Sequence, residues 1–227
     1  MGSYVPNTLE ERQEMLKEIG YSSIEDLFAH IPDEVKIKGG LNIPEGKEKK
    51  IVFLSDLHNQ QYGQNNENLV KAIRESDPDF IWIGGDMLIG KEDTDYAPAL
   101  SFVKEITGIC PVYCASGNHE QRMKENPEDY QYSYVEYKEV LEACGVHFLE
   151  NETVRFAEYN ITLRGLEIPL ACYRRFRKGT LTVEEIIERI GQPDETTYEV
   201  LLAHNPTYME TYQKWGADLV LSGHLHG

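Results

Sequence analysis

Two histidines flank one leucine in "LSGHLHG", positions 221–227, at the end of a 227-residue chain. Imidazole ligates transition metals and carries protons near neutral pH, so a His-x-His gains meaning only when further donors join it. Such donors recur upstream, always in the same setting. Asp56 and His58 follow the apolar run 51–54, and Asp86 follows 79–83. Asn118 and His119 follow 111–115, His204 follows 198–203, and His224 and His226 follow 218–221. Each group sits just past the carboxyl end of a run with strand character, the edge where open α/β sheets build ligand sites. Carboxylate, imidazole and carboxamide donors without thiolate suit manganese, iron or zinc better than calcium or a thiophilic metal. There are too many of them for one tetrahedral ion. A pair of cations sharing a bridging carboxylate would use them all, clamping an oxyanion and activating hydroxide for in-line displacement. Taken singly, each donor reads as an ordinary turn, cap or surface feature. The ordered series of five segments is what points to one site.

These segments need elements to carry them. From Lys50 onward, short β-rich apolar runs alternate with amphipathic stretches of helical period: "IVFL", then "NENLVKAIRES", "DFIWIGG", "YAPALSFVKEIT", "PVYCAS", "YVEYKEVLEACG" and "VHFLE". "TVRFAEYNITLRGLEI" reads as a hairpin turning near Glu158–Asn160, and "TVEEIIERIG", "YEVLLAH", "PTYMETYQKWG" and "DLVLSG" resume the alternation. This order predicts an α/β layered fold with a largely parallel centre. Trp82, inside a strand, is expected in the core. Residues 1–47 differ: Thr8 and Glu11 could cap one short helix that Gly20 stops, Ser22 and Glu25 a second that Pro32 ends, and "KGGLNIPEGKEKK" reads as a linker.

Read together, the motifs resemble the signature of the calcineurin-like metallophosphoesterases: Asp56-Leu-His58, Gly85-Asp86, Gly117-Asn118-His119-Glu120, His204 and Gly223-His224-Leu225-His226. The resemblance covers about residues 50–227, nearest to the bacterial membrane-associated branch, judging by "LLAHNP" and "WGADLVLSGHLHG". It implies a β-sandwich flanked by helices over 48–227, with 1–47 as a helical appendage. It also implies a hydrolase acting on phosphomonoesters or phosphodiesters with two divalent ions. One ion would be held by Asp56, His58 and His226, the other by Asn118, His204 and His224, with Asp86 bridging. A hydroxide between the ions would attack phosphorus, and His119 would protonate the leaving oxygen. Relatives continue past the G-H-x-H with further strands, so the domain is expected to be incomplete at its carboxyl end. A catalytically silent scaffold is the alternative reading. Residues about 3–46 resemble instead the amino terminus of glycine dehydrogenase (decarboxylating) subunit 1, without that enzyme's cofactor-lysine region, and predict no pyridoxal-phosphate site.

Bulk composition narrows the partners. Lys plus Arg number 22 against 39 Asp plus Glu, a formal charge of −17, which argues against a nucleic-acid surface. A phosphoester substrate is compatible, whether small molecule, nucleotide or lipid head group, because bound cations invert the local field. Cys110, Cys114, Cys144 and Cys172 lack paired spacing and read as reduced residues. With no signal peptide or anchor-length apolar run, a soluble cytoplasmic chain is expected, although relatives carry a membrane anchor. Arg174, Arg175, Arg177 and Lys178 form a basic run that reads as a solvated loop before a phosphate or lipid contact. Tyr130, Tyr132, Tyr134 and Tyr137 read as a packed helix start rather than a stacking platform.

Overall fold

Strand runs that are apolar throughout require cover on both faces, and the structure supplies it. A computed structural model describes residues 9–23, 48–91, 95–174 and 179–225. The chain divides into two compact units, Met1–Gly46 and Lys47–Gly227. In the first, helix α1 (Leu9–Glu18) ends as Tyr21 N–H returns to the Leu16 carbonyl at 2.8 Å, with Gly20 at φ 84°. The second short helix, the linker and the Thr8 cap lie outside the described residues.

In the second unit, β1 (Ile51–Leu54), β2 (Phe80–Ile83), β3 (Val112–Cys114) and β4 (Val146–Phe148) form a wholly parallel sheet in that order. A second sheet runs β5 (Glu152–Phe156), β6 (Ile161–Gly165), β7 (Tyr198–Leu202) and β8 (Leu219–Leu221). Only its β5–β6 pair is antiparallel, the expected hairpin. Alternation along the strands sorts the side chains into layers. Trp82 and Tyr113 meet Leu163, Val200 and Leu202 between the sheets, with Phe53 and Leu221 packed against them. Ile81 and Ile83 face the other way, onto α2 (Glu67–Ser76), α3 (Ala97–Thr107) and α5 (Tyr134–Ala143) through Ile73, Phe102, Tyr137 and Leu141. Leu201 faces α6 (Val183–Ile190) and α7 (Met209–Trp215) through Ile186, Ile190, Tyr212 and Trp215. The result is helix, sheet, sheet, helix. Ser133 caps α5 by accepting the Val135 N–H, and Tyr134 and Tyr137 are buried, so that tyrosine run is a packed helix start. Among the described residues, no helix is long and apolar enough to cross a membrane.

One charged pair lies inside the second sheet's helical layer. Arg164 on β6 is 7% exposed and grips Glu199 on β7 with two N–H donors, Nε to Oε2 at 2.9 Å and Nη2 to Oε1 at 3.0 Å. It also donates to the carbonyls of Ile190 and Gln192, closing the end of α6, and stacks 5.4 Å from the Trp215 ring. Arg164→Ala would strand the Glu199 charge, so we expect a loss of about 3–5 kcal/mol. Arg164→Ala/Glu199→Ala should recover part of it, as read by urea unfolding.

Candidate metal centre

The carboxyl ends of β1, β2, β3, β7 and β8 open onto one edge of the sandwich, and the donor-bearing loops meet there. The first two loops run side by side: Asp56 N–H reaches the Gly85 carbonyl at 3.1 Å and His58 N–H the Asp86 carbonyl at 3.0 Å. Asp56 also accepts the His224 backbone N–H, at 2.9 and 3.1 Å, tying positions 168 residues apart. Asp56, His58, Asp86 and His224 all have positive φ, between 48° and 71°. Left-handed backbone at four non-glycine residues in one locality costs on the order of 1–3 kcal/mol each and is a mark of functional sites. Gly223 permits the closest approach. A Cβ there would lie 2.0 Å from Ser55 Oγ and 2.3 Å from Asp56 Oδ2.

Asp86 is the hub. It is 1% exposed. Its Oδ1 accepts the His119 backbone N–H at 2.8 Å, and its Oδ2 lies 3.0 Å from His204 Nε2, 3.9 Å from His58 Nε2 and 4.0 Å from His119 Nε2. Burial alone would raise this carboxyl. The hydrogen bond and charge of His204, with the charge and backbone N–H of His119, outweigh it and hold the group at about 2. The donor atoms fall into two overlapping groups, His58–Asp86–His119 and Asp86–His204–His224, each within 4.8 Å of one another.

Three local features fit a cation. His204 Nδ1 lies 2.7 Å from the Gly84 carbonyl and must donate to it, which turns the Nε2 lone pair toward the Asp86 carboxylate. A proton or a metal ion must lie between two such electron-rich atoms, and metal-binding histidines commonly anchor their second nitrogen in this way. Burial lowers the His204 pKa, but Asp86 overcomes it and the net shift is upward, as for a site awaiting positive charge. Asn118, 3% exposed, leaves its Oδ1 buried without a hydrogen-bond partner among the described residues. A buried carbonyl oxygen of this kind calls for a ligand.

His119 differs from the others. Its Nδ1 accepts the Gly90 N–H at 2.8 Å, so its own proton sits on Nε2, 4.0 Å from Asp86 Oδ2. Burial lowers this imidazole to about 4 despite the Asp86 charge, and it is neutral at pH 7. His226 lies outside the described residues, as do Arg175, Arg177 and Lys178 of the basic run.

One further residue shapes the centre. Glu120, 2% exposed, accepts three backbone N–H groups: Asp86 at 2.8 Å and Gly117 at 2.9 Å on Oε2, and Met87 at 3.0 Å on Oε1. It clamps the Asp86 loop to helix α4 (Asn118–Glu125), which the apolar periodicity of the sequence does not announce. An acidic residue three positions into a helix, after a glycine cap, is the capping signal that could have revealed both. Lys124 secures the far end of α4 through Glu167 at 2.6 Å and Glu150 at 3.2 Å.

Fold and site together define a two-sheet α/β sandwich with a histidine–carboxylate centre at its strand ends. Residues 49–227 match the calcineurin-like phosphoesterase family, and the chain belongs to it. It is 30% identical over 191 residues to the uncharacterized metallophosphoesterase YkoQ of Bacillus subtilis (strain 168), covering 82% of this chain and 63% of the relative. The uncharacterized protein YpbG of the same organism is 29% identical over 182 residues, 78% of this chain and 61% of that one. The chain thus spans just under two thirds of these relatives' length. Over 42 residues, 18% of this chain, it is 57% identical to the probable glycine dehydrogenase (decarboxylating) subunit 1 of Brevibacillus brevis, covering 9% of that protein.

Proposed function

We propose that the chain is a phosphoester hydrolase working with two divalent cations: manganese, iron or zinc. Asp56, His58 and His226 would hold one, Asn118, His204 and His224 the other, with Asp86 shared between them. When bound, the cations would supply Lewis-acid charge and acidify water for in-line attack on phosphorus. The remaining work belongs to the chain's own residues. Gly84 orients His204, Glu120 holds the Asp86 loop, and His119 keeps at Nε2 the proton that the departing alkoxide oxygen requires. The substrate is a small-molecule, nucleotide or lipid phosphoester, taken by the 48–227 domain, with 1–47 an appendage and linker.

The observation that carries this reading is the meeting of three imidazole Nε2 atoms within 4.0 Å of one Asp86 oxygen, with an Asn118 Oδ1 that has no hydrogen-bond partner among the described residues. The test is incubation of purified protein with Mn²⁺ and an aryl phosphomonoester or phosphodiester. We expect release of aryl alcohol that chelation abolishes and fresh Mn²⁺ restores. A folded sample with no metal-dependent release would overturn the proposal.

A further inference from the structure

Another buried polar atom at this edge lacks a partner among the described residues, and it is a donor rather than an acceptor. The Tyr173 hydroxyl is shielded from solvent and makes no hydrogen bond among the described residues. Tyrosine hydroxyls in such positions ordinarily find a partner. Its neighbours do: Tyr212 donates to the Asn205 carbonyl at 2.7 Å, and Tyr208 to the carbonyls of Cys172 and Gly179 at 3.2 and 2.5 Å. Tyr173 packs instead against the candidate centre, its ring edge-on to His224 with centroids 5.0 Å apart, and 6.2 Å from the His204 ring.

The backbone that presents this ring is pinned. Tyr173 ends the short 3-10 turn Leu170–Tyr173 that follows β6. The preceding Cys172 carbonyl accepts from Asn205 Nδ2 at 3.1 Å as well as from Tyr208. Asn205 adjoins His204, so the segment bearing one candidate ligand also fixes Tyr173. A tyrosine phenol keeps its proton at neutral pH, so this hydroxyl is an O–H donor. The ring that bears this donor packs beside two imidazoles, a setting in which an anionic oxygen would complete its hydrogen bonding.

The geometry points to Tyr173 as a phosphate-binding residue, whose hydroxyl donates to a non-bridging oxygen of a phosphoryl group seated at the His204–His224 side of the centre. This rests on the phosphoester reading above. Tyr173→Phe removes only an unpartnered atom, so the metal-free variant should melt at or slightly above the wild-type temperature, and Mn²⁺ affinity should be unchanged. A hydrogen bond to a charged oxygen is at stake. Inorganic phosphate should therefore bind the Mn²⁺-loaded variant about 10- to 100-fold more weakly, and kcat/KM for an aryl phosphoester should fall by a similar factor. Calorimetric titration of phosphate into both loaded proteins decides the matter without turnover. Equal phosphate affinity in the two proteins overturns the assignment, as does no phosphate binding by the loaded wild type, or loss of Mn²⁺ affinity in the variant. If the wild type binds phosphate through Tyr173 yet cleaves no ester, the assignment stands and the hydrolase reading falls. If ester cleavage is normal in the wild type and phosphate affinity is the same in both proteins, the hydrolase reading stands and the tyrosine falls.

Discussion

Asp86→Asn is expected to lower metal-dependent phosphoester cleavage on the order of 10³-fold or more, the equivalent of about 4 kcal/mol of transition-state stabilisation. The reason lies in what the substitution keeps. Asparagine retains the oxygen that accepts the His119 backbone N–H. Its new amide can donate to His204 Nε2, whose lone pair is directed there because Nδ1 is committed to the Gly84 carbonyl. The metal-free protein should therefore stay folded, with a circular dichroism spectrum unchanged from wild type. What disappears is the charge at a position within 4.0 Å of His204, His58 and His119. Mn²⁺ titration should show weakened uptake in parallel with the lost rate. Near-wild-type turnover would remove Asp86 from the centre.

Glu120→Ala should produce the largest loss of stability, about 3–6 kcal/mol, a substantial share of what a domain of this size holds. Its carboxylate is the acceptor for the N–H groups of Asp86, Met87 and Gly117, which lose that acceptor in a buried setting. Burial, with the Asp86 charge beside it, pushes the Glu120 carboxyl up to about 7, while its backbone N–H partners pull the other way. The clamp is thus kept at an electrostatic cost. Glu120→Gln should be milder: one oxygen can still serve Asp86 and Gly117, but the amide then faces the Met87 N–H, donor against donor. Urea unfolding should rank wild type above Gln above Ala. Activity of the Gln variant, where folded, should fall about 10²-fold, because a displacement near 1 Å in a loop bearing a catalytic group is felt at that level.

Much of this molecule could be read from the chain itself, and the reasons are local. Runs such as "IVFL" and "FIWI" must be buried on both faces, and "TVEEIIERI" carries its own capping box, Thr182 with Glu185, which the structure contains. The antiparallel β5–β6 pair turns where the sequence marks it. Helix α4 is marked in the sequence only by the Gly117–Glu120 capping signal, because its first residues are the Asn118-His119 pair and its apolar content is slight. The helix is held by Glu120 and Lys124 rather than by an apolar stripe. Tyr173 is marked in the sequence only as the residue before the basic run that starts at Arg174.

The order of residue types along the chain determined the strand–helix alternation, the layers it folds into, and which loops carry carboxylate, imidazole and amide. Those follow from hydrophobic period and from the chemistry of each side chain, which neighbours in sequence suffice to express. Only the tertiary structure decided that Asp56 accepts the backbone of His224, that Asp86 lies among three imidazoles, and that Asn118 Oδ1 and the Tyr173 hydroxyl are left without partners among the described residues. Such relations join residues far apart in sequence. They depend on strand register and on backbone held at positive φ, which packing across the whole sandwich imposes and no short stretch of chain encodes.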